Sequence, residues 1–280
     1  MPPDAPAMAD REGADGARLV AKGRPSLSGL VVAHNEEAAL PDCLRSLAFV
    51  DEIVVVLDRC TDGSRPVAER FGARVIEGAW PIEGDRRNTG IDACRGDWVI
   101  EVDADERVSP ALAAEILALL PTAATGHFGI PFNNYIGNRL VRHGWGAYNG
   151  VQQSFRLFSR GCKRWGGQLV HPKLELKGRR GVLSNKMEHF VDRDLFDLFD
   201  RLNRYTTLAA REALETGERP SFGAAFRRLF GRFYKSFIGR RGYREGIYGI
   251  ALALFSALYP MLIYLKTREM QSRHGLRDRA

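Results

Sequence analysis

No C-x-x-C pair occurs in this chain, and its four cysteines (Cys43, Cys60, Cys94, Cys162) are scattered over 280 residues. A chain of this length can build a sizeable core without disulfide staples, so we expect reduced thiols in a cytosolic compartment, serving as small buried apolar groups. No G-x-G-x-x-G follows the first apolar run, where the turn is instead "AHNEE". Backbone N–H groups therefore have no dinucleotide cradle there, and the absence of G-x-x-x-x-G-K removes the phosphate loop of the P-loop enzymes. His34, His127, His143, His189 and His274 show no zinc spacing. Residues 1–25 are rich in Ala, Pro, Asp and Gly and lack the apolar stretch of a signal peptide; they read as a mostly disordered leader.

The net charge of +7 is concentrated near the C-terminus. Residues 219–245 hold eight basic residues and one acidic residue, whereas residues 1–218 are slightly acidic. Such asymmetry points to a local anionic partner at the C-terminal end. Upstream, short β-branched runs (26–33, 51–58, 73–80, 97–105) alternate with helical segments (37–50, 61–72, 85–96, 109–120). That alternation predicts βαβ units and an α/β fold with a mostly parallel sheet between helices. Ser109 and Pro110 mark a helix start. Residues 121–190 are less regular, and an amphipathic helix returns at about 193–217 with Leu195, Leu198, Leu202, Tyr205 and Leu208 on one face.

Polar clusters follow three of the strands: His34-Asn35-Glu36, Asp58 to Asp62, and Asp103 to Glu106. In an open parallel sheet these ends share one rim, where ligands bind. Glu101, Asp103, Asp105 and Glu106 crowd like charges at the end of a buried run. A Mg²⁺ or Mn²⁺ ion among them would offset that repulsion and stabilise a departing diphosphate. A D-x-D pair alone is a weak signal. A second one, Asp192-Arg193-Asp194, opens the amphipathic helix, where Asp serves as a cap. Position separates the two, and Asp58-x-x-x-Asp62 is equally readable as turn and capping chemistry.

Phe222, Phe226, Phe230, Phe233 and Phe237 recur at helical spacing among Arg227, Arg228, Arg232 and Lys235, and residues 246–265 carry no charge. A basic aromatic helix beside a long apolar run reads as membrane-associating, with a core helix as the rival. Both flanks are basic, so spanning and lying in the interface are both open.

The stretches "LSGLVVAHNEEAALPDCLRSLAFVDEIVVVLDRCTDGS" and "GDRRNTGIDACRGDWVIEVDADERVSPAL" resemble the donor half of family 2 glycosyltransferases of the GT-A fold. "RLFSRGCKRWGGQLVHPKLEL" and "DRLNRYTTLAA" resemble the subgroup of lipopolysaccharide core β-1,4-glucosyltransferases. The similarity covers about residues 26–268. It implies that Ala33, Asn35 and Glu36 line the nucleotide pocket and that Asp58 contacts the base, uracil for a UDP-sugar. It also implies that Asp103 contacts the ribose or lies near the metal, and that Asp105 ligates the metal. Arg86 and Arg87 would touch donor phosphate or sugar, or stand as solvated helix-start arginines; Arg156 matches the family's middle-sheet arginine. Related sequences often have His-Glu where this one has His171-Pro172. The general base is then sought at Glu175, with Glu106 and Glu188 as alternatives, and His171 is a metal ligand or a structural donor. Trp145, Tyr148 and Trp165 would stack an acceptor sugar or pack a small core.

The resulting expectation is a GT-A domain over residues 26–218, with a donor half (26–120) and an acceptor half (121–218), followed by a membrane-associating segment (219–280). The enzyme would sit at the cytoplasmic face of the inner membrane. It would pass a sugar from a UDP-sugar to a lipid-linked or lipopolysaccharide core acceptor, with no nucleic-acid partner. A sugar-nucleotide pyrophosphorylase and a non-catalytic binding module are the alternatives.

Overall fold

A computed structural model describes residues 23–145, 153–167 and 173–277. Strand β1 (Leu27–Ala33) is buried at every position, as its apolar run requires. It pairs in parallel with β2 (Glu52–Asp58) on one side and β4 (Trp98–Asp103) on the other, so that Val31 faces Val55 and Val102. Strand β3 (Arg74–Gly78) completes the parallel order β3-β2-β1-β4. Helices α1 (Leu40–Ser46), α2 (Ser64–Arg70) and α3 (Glu83–Ala93) make the crossovers. Helix α3 lies close to the sheet because Gly90 has no side chain: a Cβ there would stand 2.5 Å from Leu30 Cδ1.

Beyond β4 the sheet continues through β8 (Gln153–Ser159), β6 (Gly126–Ile136), β12 (Met187–Asp192) and β5 (Glu106–Val108). The β4–β8, β6–β8 and β12–β5 pairs are antiparallel and β12–β6 is parallel; β7 (Arg139–Val141) and β11 (Arg179–Val182) also pair with β6. One sheet thus spans both halves expected from sequence. Strand β5 was not anticipated, because its three residues follow the Asp103–Glu106 turn too closely for any periodicity to appear. The turn is tied down by the Phe190 N–H, which donates to the Asp105 carbonyl at 2.9 Å. Helix α4 (Pro110–Leu119) starts as expected, with Ser109 Oγ accepting from the Leu112 N–H at 3.2 Å. A small separate ribbon pairs β9 (Lys163–Trp165) with β10 (Leu174–Leu176).

Helix α5 (Leu195–Glu215) is capped by Asp194 and buries Leu198, Leu202, Thr206, Ala210 and Ala213. Tyr205 and Leu208, expected on the same face, are exposed. Successive three-residue steps from Leu202 drift off a 3.6-residue repeat, whereas the true stripe advances by fours. Helix α6 (Phe222–Tyr234) and helix α7 (Ile247–Arg277) follow, joined by a π turn and a 3-10 turn. The C-terminal helices are fused to the end of the sheet. Leu252 of α7 packs with Ile136, Val141, Trp145, Val191 and Leu198, and Glu245 Oε1 accepts from the backbone N–H groups of Arg142 and His143.

Candidate active site

The loops after β1 and β2 are stitched together on one rim. His34 Nδ1 lies 2.6 Å from the Asp58 carbonyl, and Asn35 Oδ1 accepts from the Thr61 N–H at 2.7 Å. Asn35 holds a left-handed backbone, φ 57°, which asparagine tolerates better than most residues. Ala33 ends β1 buried, and Glu36 stands half-buried beside it. Burial, then the Asp105 and Asp62 charges, push the Glu36 carboxyl up from its ordinary value. Asp58 is buried and accepts from Arg59 Nε and Nη2, the Trp80 N–H and Arg86 Nη1. These four donors fill the roughly four acceptor positions of a carboxylate. Burial opposes its charge, but the Arg59 hydrogen bonds, the Trp80 N–H and Arg86 outweigh it and hold the carboxyl low. Asp58 in this arrangement holds two arginines; its oxygens are not open to a nucleobase.

Beneath the rim lies an ion network that the sequence did not suggest. Glu101 and Asp103, two apart on β4, face the same way. Arg87 Nη1 donates to Glu101 and to Asp103, at 2.5 and 3.0 Å. Lys163 Nζ donates to Glu101 at 2.5 Å, and Arg156 Nη2 bridges Asp103 and Glu106. Three cations therefore meet three carboxylates. Burial works against the Glu101 charge, yet Lys163, Arg87 and Arg156 hold its pKa at about 2. This corrects the expectation that a metal offsets the whole cluster, since protein cations pair with Glu101, Asp103 and Glu106.

Asp105 stands apart, half-exposed in the turn after β4, with His189 Nε2 3.4 Å from its Oδ2. Donor atoms of Asp105, Glu106 and His189 all lie within 4.8 Å of one another. Glu106 is pushed up to about 7 by burial, against Arg156, with Asp103 and Asp105 adding to the rise. Arg156 donates to one Glu106 oxygen and the Asp103 N–H to the other, so each oxygen keeps a second acceptor position for an ion. Opposite, Nδ1 of His189 donates to Asn134 Oδ1 at 2.9 Å, which leaves Nε2 facing the carboxylates. Two carboxylates and one imidazole fit a Mg²⁺ or Mn²⁺ ion. In the sequence His189 has no zinc spacing to mark it. The signal lies in the sheet register instead, where β12 places His189 directly opposite Glu106.

His171 and Tyr148 lie outside the described residues. Glu175 is not brought to the carboxylates. It is exposed on β10 opposite Arg164, in a hollow shared with Asp92, Arg160 and Lys177 at the other end of the sheet. Trp145 is core, its indole N–H donating to the Val141 carbonyl. Trp165 stacks under Arg87, 5.2 Å from ring centre to guanidinium. Glu188 neighbours His189 on β12, with Arg107 as its register partner. Just past His189, a cleft of about 940 Å³ opens at the ends of β6 and β12, lined by Asn138, Arg139, Asp192, Arg193 and Tyr248 among others. Burial raises the Asp192 carboxyl to about 6 even though Arg201 Nη2 donates to it at 2.8 Å.

The sequence model of the family described as Glycosyl transferase family 2 matches residues 28–171. Lipopolysaccharide core biosynthesis glycosyltransferase LpsC of Rhizobium meliloti (strain 1021) is 27% identical over 274 residues, covering 90% of this chain and 94% of that protein. An uncharacterized glycosyltransferase of Rickettsia felis is 23% identical over 260 residues, covering 87% of this chain and 89% of its own. Among solved structures, glucosyl-3-phosphoglycerate synthase from Mycobacterium tuberculosis, in complex with Mn²⁺, uridine diphosphate and glucosyl-3-phosphoglycerate, matches at 24% identity with a TM-score of 0.35. That match covers 40% of this chain and 45% of the solved chain, less than half its length.

Proposed function

The chain belongs to glycosyl transferase family 2, and we propose that it moves a hexose from a UDP-sugar to a hydroxyl of a lipid-linked or lipopolysaccharide core glycan, with inversion. The observation that carries this reading is the Asp105, Glu106 and His189 cluster, set on the rim where the loops after β1, β2 and β4 converge. The acceptor class follows the similarity to LpsC over nearly the whole chain.

Ala33, Asn35 and Glu36 border the nucleotide. Asp58 holds Arg86, whose Nε is buried without a partner and is available to a donor phosphate. Each Asp103 oxygen takes one arginine hydrogen bond, which leaves acceptor capacity for a ribose hydroxyl. Asp105, Glu106 and His189 would hold Mg²⁺ or Mn²⁺, and that ion, when bound, neutralises charge on the departing diphosphate. The acceptor occupies the cleft beyond His189. Asp192 replaces Glu175 as the carboxylate that takes the hydroxyl proton, since it lines that cleft and its raised pKa suits a base near neutral pH.

Helix α7 is long and apolar enough to cross a membrane by length and composition. Phe222, Phe226 and Phe230 form an exposed ridge along α6. Together with the basic residues of α6 they suit the anionic cytoplasmic face of an inner membrane, where a lipid-linked acceptor resides.

Calorimetric titration of UDP-glucose, with and without Mn²⁺, tests the donor site. Metal-dependent binding that is lost in Asp105→Asn supports it. Binding indifferent to both metal and Asp105 overturns the site assignment.

A further inference from the structure

A second cavity, of about 430 Å³, lies far along the chain from the sugar site, between helices α5, α6 and α7. Arg219, Arg228 and Arg232 line it, with Tyr259 on the α7 side. Nη1 of Arg232 is buried and has no hydrogen-bond partner, and its guanidinium lies 5.6 Å from the centre of the Tyr259 ring. A buried guanidinium N–H without an acceptor is costly, and it calls for an acceptor that the protein does not provide.

The other features agree on an anion. The cavity takes in the start of α6, where Ser221 Oγ caps the Ala224 N–H and the helix dipole favours negative charge. Glu212 and Glu218 also line it, so three positive charges face two negative ones and the excess is positive. Phe222, the first residue of α6, adjoins this charged pocket and packs on Tyr264 and Phe226 at the start of the exposed aromatic ridge. Guanidinium groups next to exposed aromatic rings match an amphiphile with a phosphate head and apolar tails.

We propose that this cavity binds the phosphate of an anionic phospholipid headgroup, with Arg232 and Arg228 as its donors. This rests on the reading that α5–α7 dock on a membrane, and adds to it a defined phosphate site. The site would seat the helical unit at headgroup depth and so fix the height of the acceptor cleft above the bilayer.

The test is sedimentation of the full chain with phosphatidylcholine vesicles, with and without phosphatidylglycerol, at low salt and at roughly 1 M salt, where the Debye length is about 3 Å. Arg232→Gln and Arg228→Gln are compared with Arg227→Gln, an exposed α6 residue outside the cavity. All three remove one charge. The expected result is that the cavity variants weaken binding to phosphatidylglycerol vesicles by about tenfold, and that their deficit persists at high salt while that of Arg227→Gln disappears. Arg228, on the exposed rim, keeps the comparison valid if Arg232→Gln fails to fold. Equal, salt-erased deficits in all three variants overturn the site but leave membrane docking standing. Failure of the wild type to bind any vesicle overturns docking and the site together. Inorganic phosphate alone is the last arm. If it raises the melting temperature of the wild type but not of Arg232→Gln, and the vesicles do not separate the variants, the ligand is free phosphate and the lipid assignment fails.

Discussion

Lys163 and Glu101 form an ion pair 2.5 Å long with neither side chain exposed to solvent. Breaking one partner of a buried pair costs about 3–5 kcal/mol, and the lower end applies here because Arg87 still donates to Glu101. Lys163→Met is therefore expected to lower unfolding stability by that amount in urea titration. The double variant with Glu101→Leu should lose less than the two single losses combined. Here the pair also sets pH dependence. Glu101 titrates at about 2 when folded and at 4.5 when free, so its contribution is complete above about pH 4.5 and fades as pH falls toward 2. That is roughly 3 kcal/mol, and Glu101→Gln should flatten the acid limb of the stability curve.

His189 depends on Asn134 for its orientation, through the 2.9 Å bond that leaves Nε2 facing Asp105. Removing such an outer partner typically weakens metal affinity by 10- to 100-fold. Asn134→Ala should raise the Mn²⁺ concentration needed for UDP-glucose binding by about that factor, and His189→Ala by more. Unchanged metal dependence in both variants would sink the ligand assignment.

The donor half was legible because its signals are local. Four apolar β-branched runs, three of them followed by polar clusters, give the parallel strands and the shared rim without any knowledge of contacts. Most of the ion network and His189 were not legible, because Arg156, Lys163 and His189 lie dozens of residues from the carboxylates they meet. Lys163 meets Glu101 across 62 residues, and His189 reaches Asp105 only because β12 pairs antiparallel with a three-residue strand. Glu175 illustrates the converse: it is near His171 in sequence, but β10 pairs with β9 and carries it away from the rim.

Asp192 and Glu175 can be told apart by rate. Removing a general base costs about 10²- to 10⁴-fold in turnover. Asp192→Asn is expected to lose that much kcat while still binding UDP-glucose, whereas Glu175→Gln should turn over like the wild type. For the wild type, activity should rise with pH through about 6, because the carboxylate must be ionised to accept the proton. The limb should be missing from the residual activity of Asp192→Asn.

Membrane docking is better tested by substitution than by truncation. Deleting residues 219–280 would remove Leu252 from the core it shares with Trp145 and Val191. It would also strip Glu245 from the backbone N–H groups of Arg142 and His143. A truncated chain could then lose vesicle binding simply by unfolding. Phe222, Phe226 and Phe230 are exposed and belong to no buried core cluster; Phe222 touches Tyr264, so Ser at all three should lower the melting temperature only slightly. Each ring contributes about 1.5–3 kcal/mol when it leaves water. Even partial insertion makes the triple variant at least about tenfold weaker in vesicle sedimentation. Wild-type sedimentation of the triple variant would show that the aromatic ridge of α6 does not enter the bilayer.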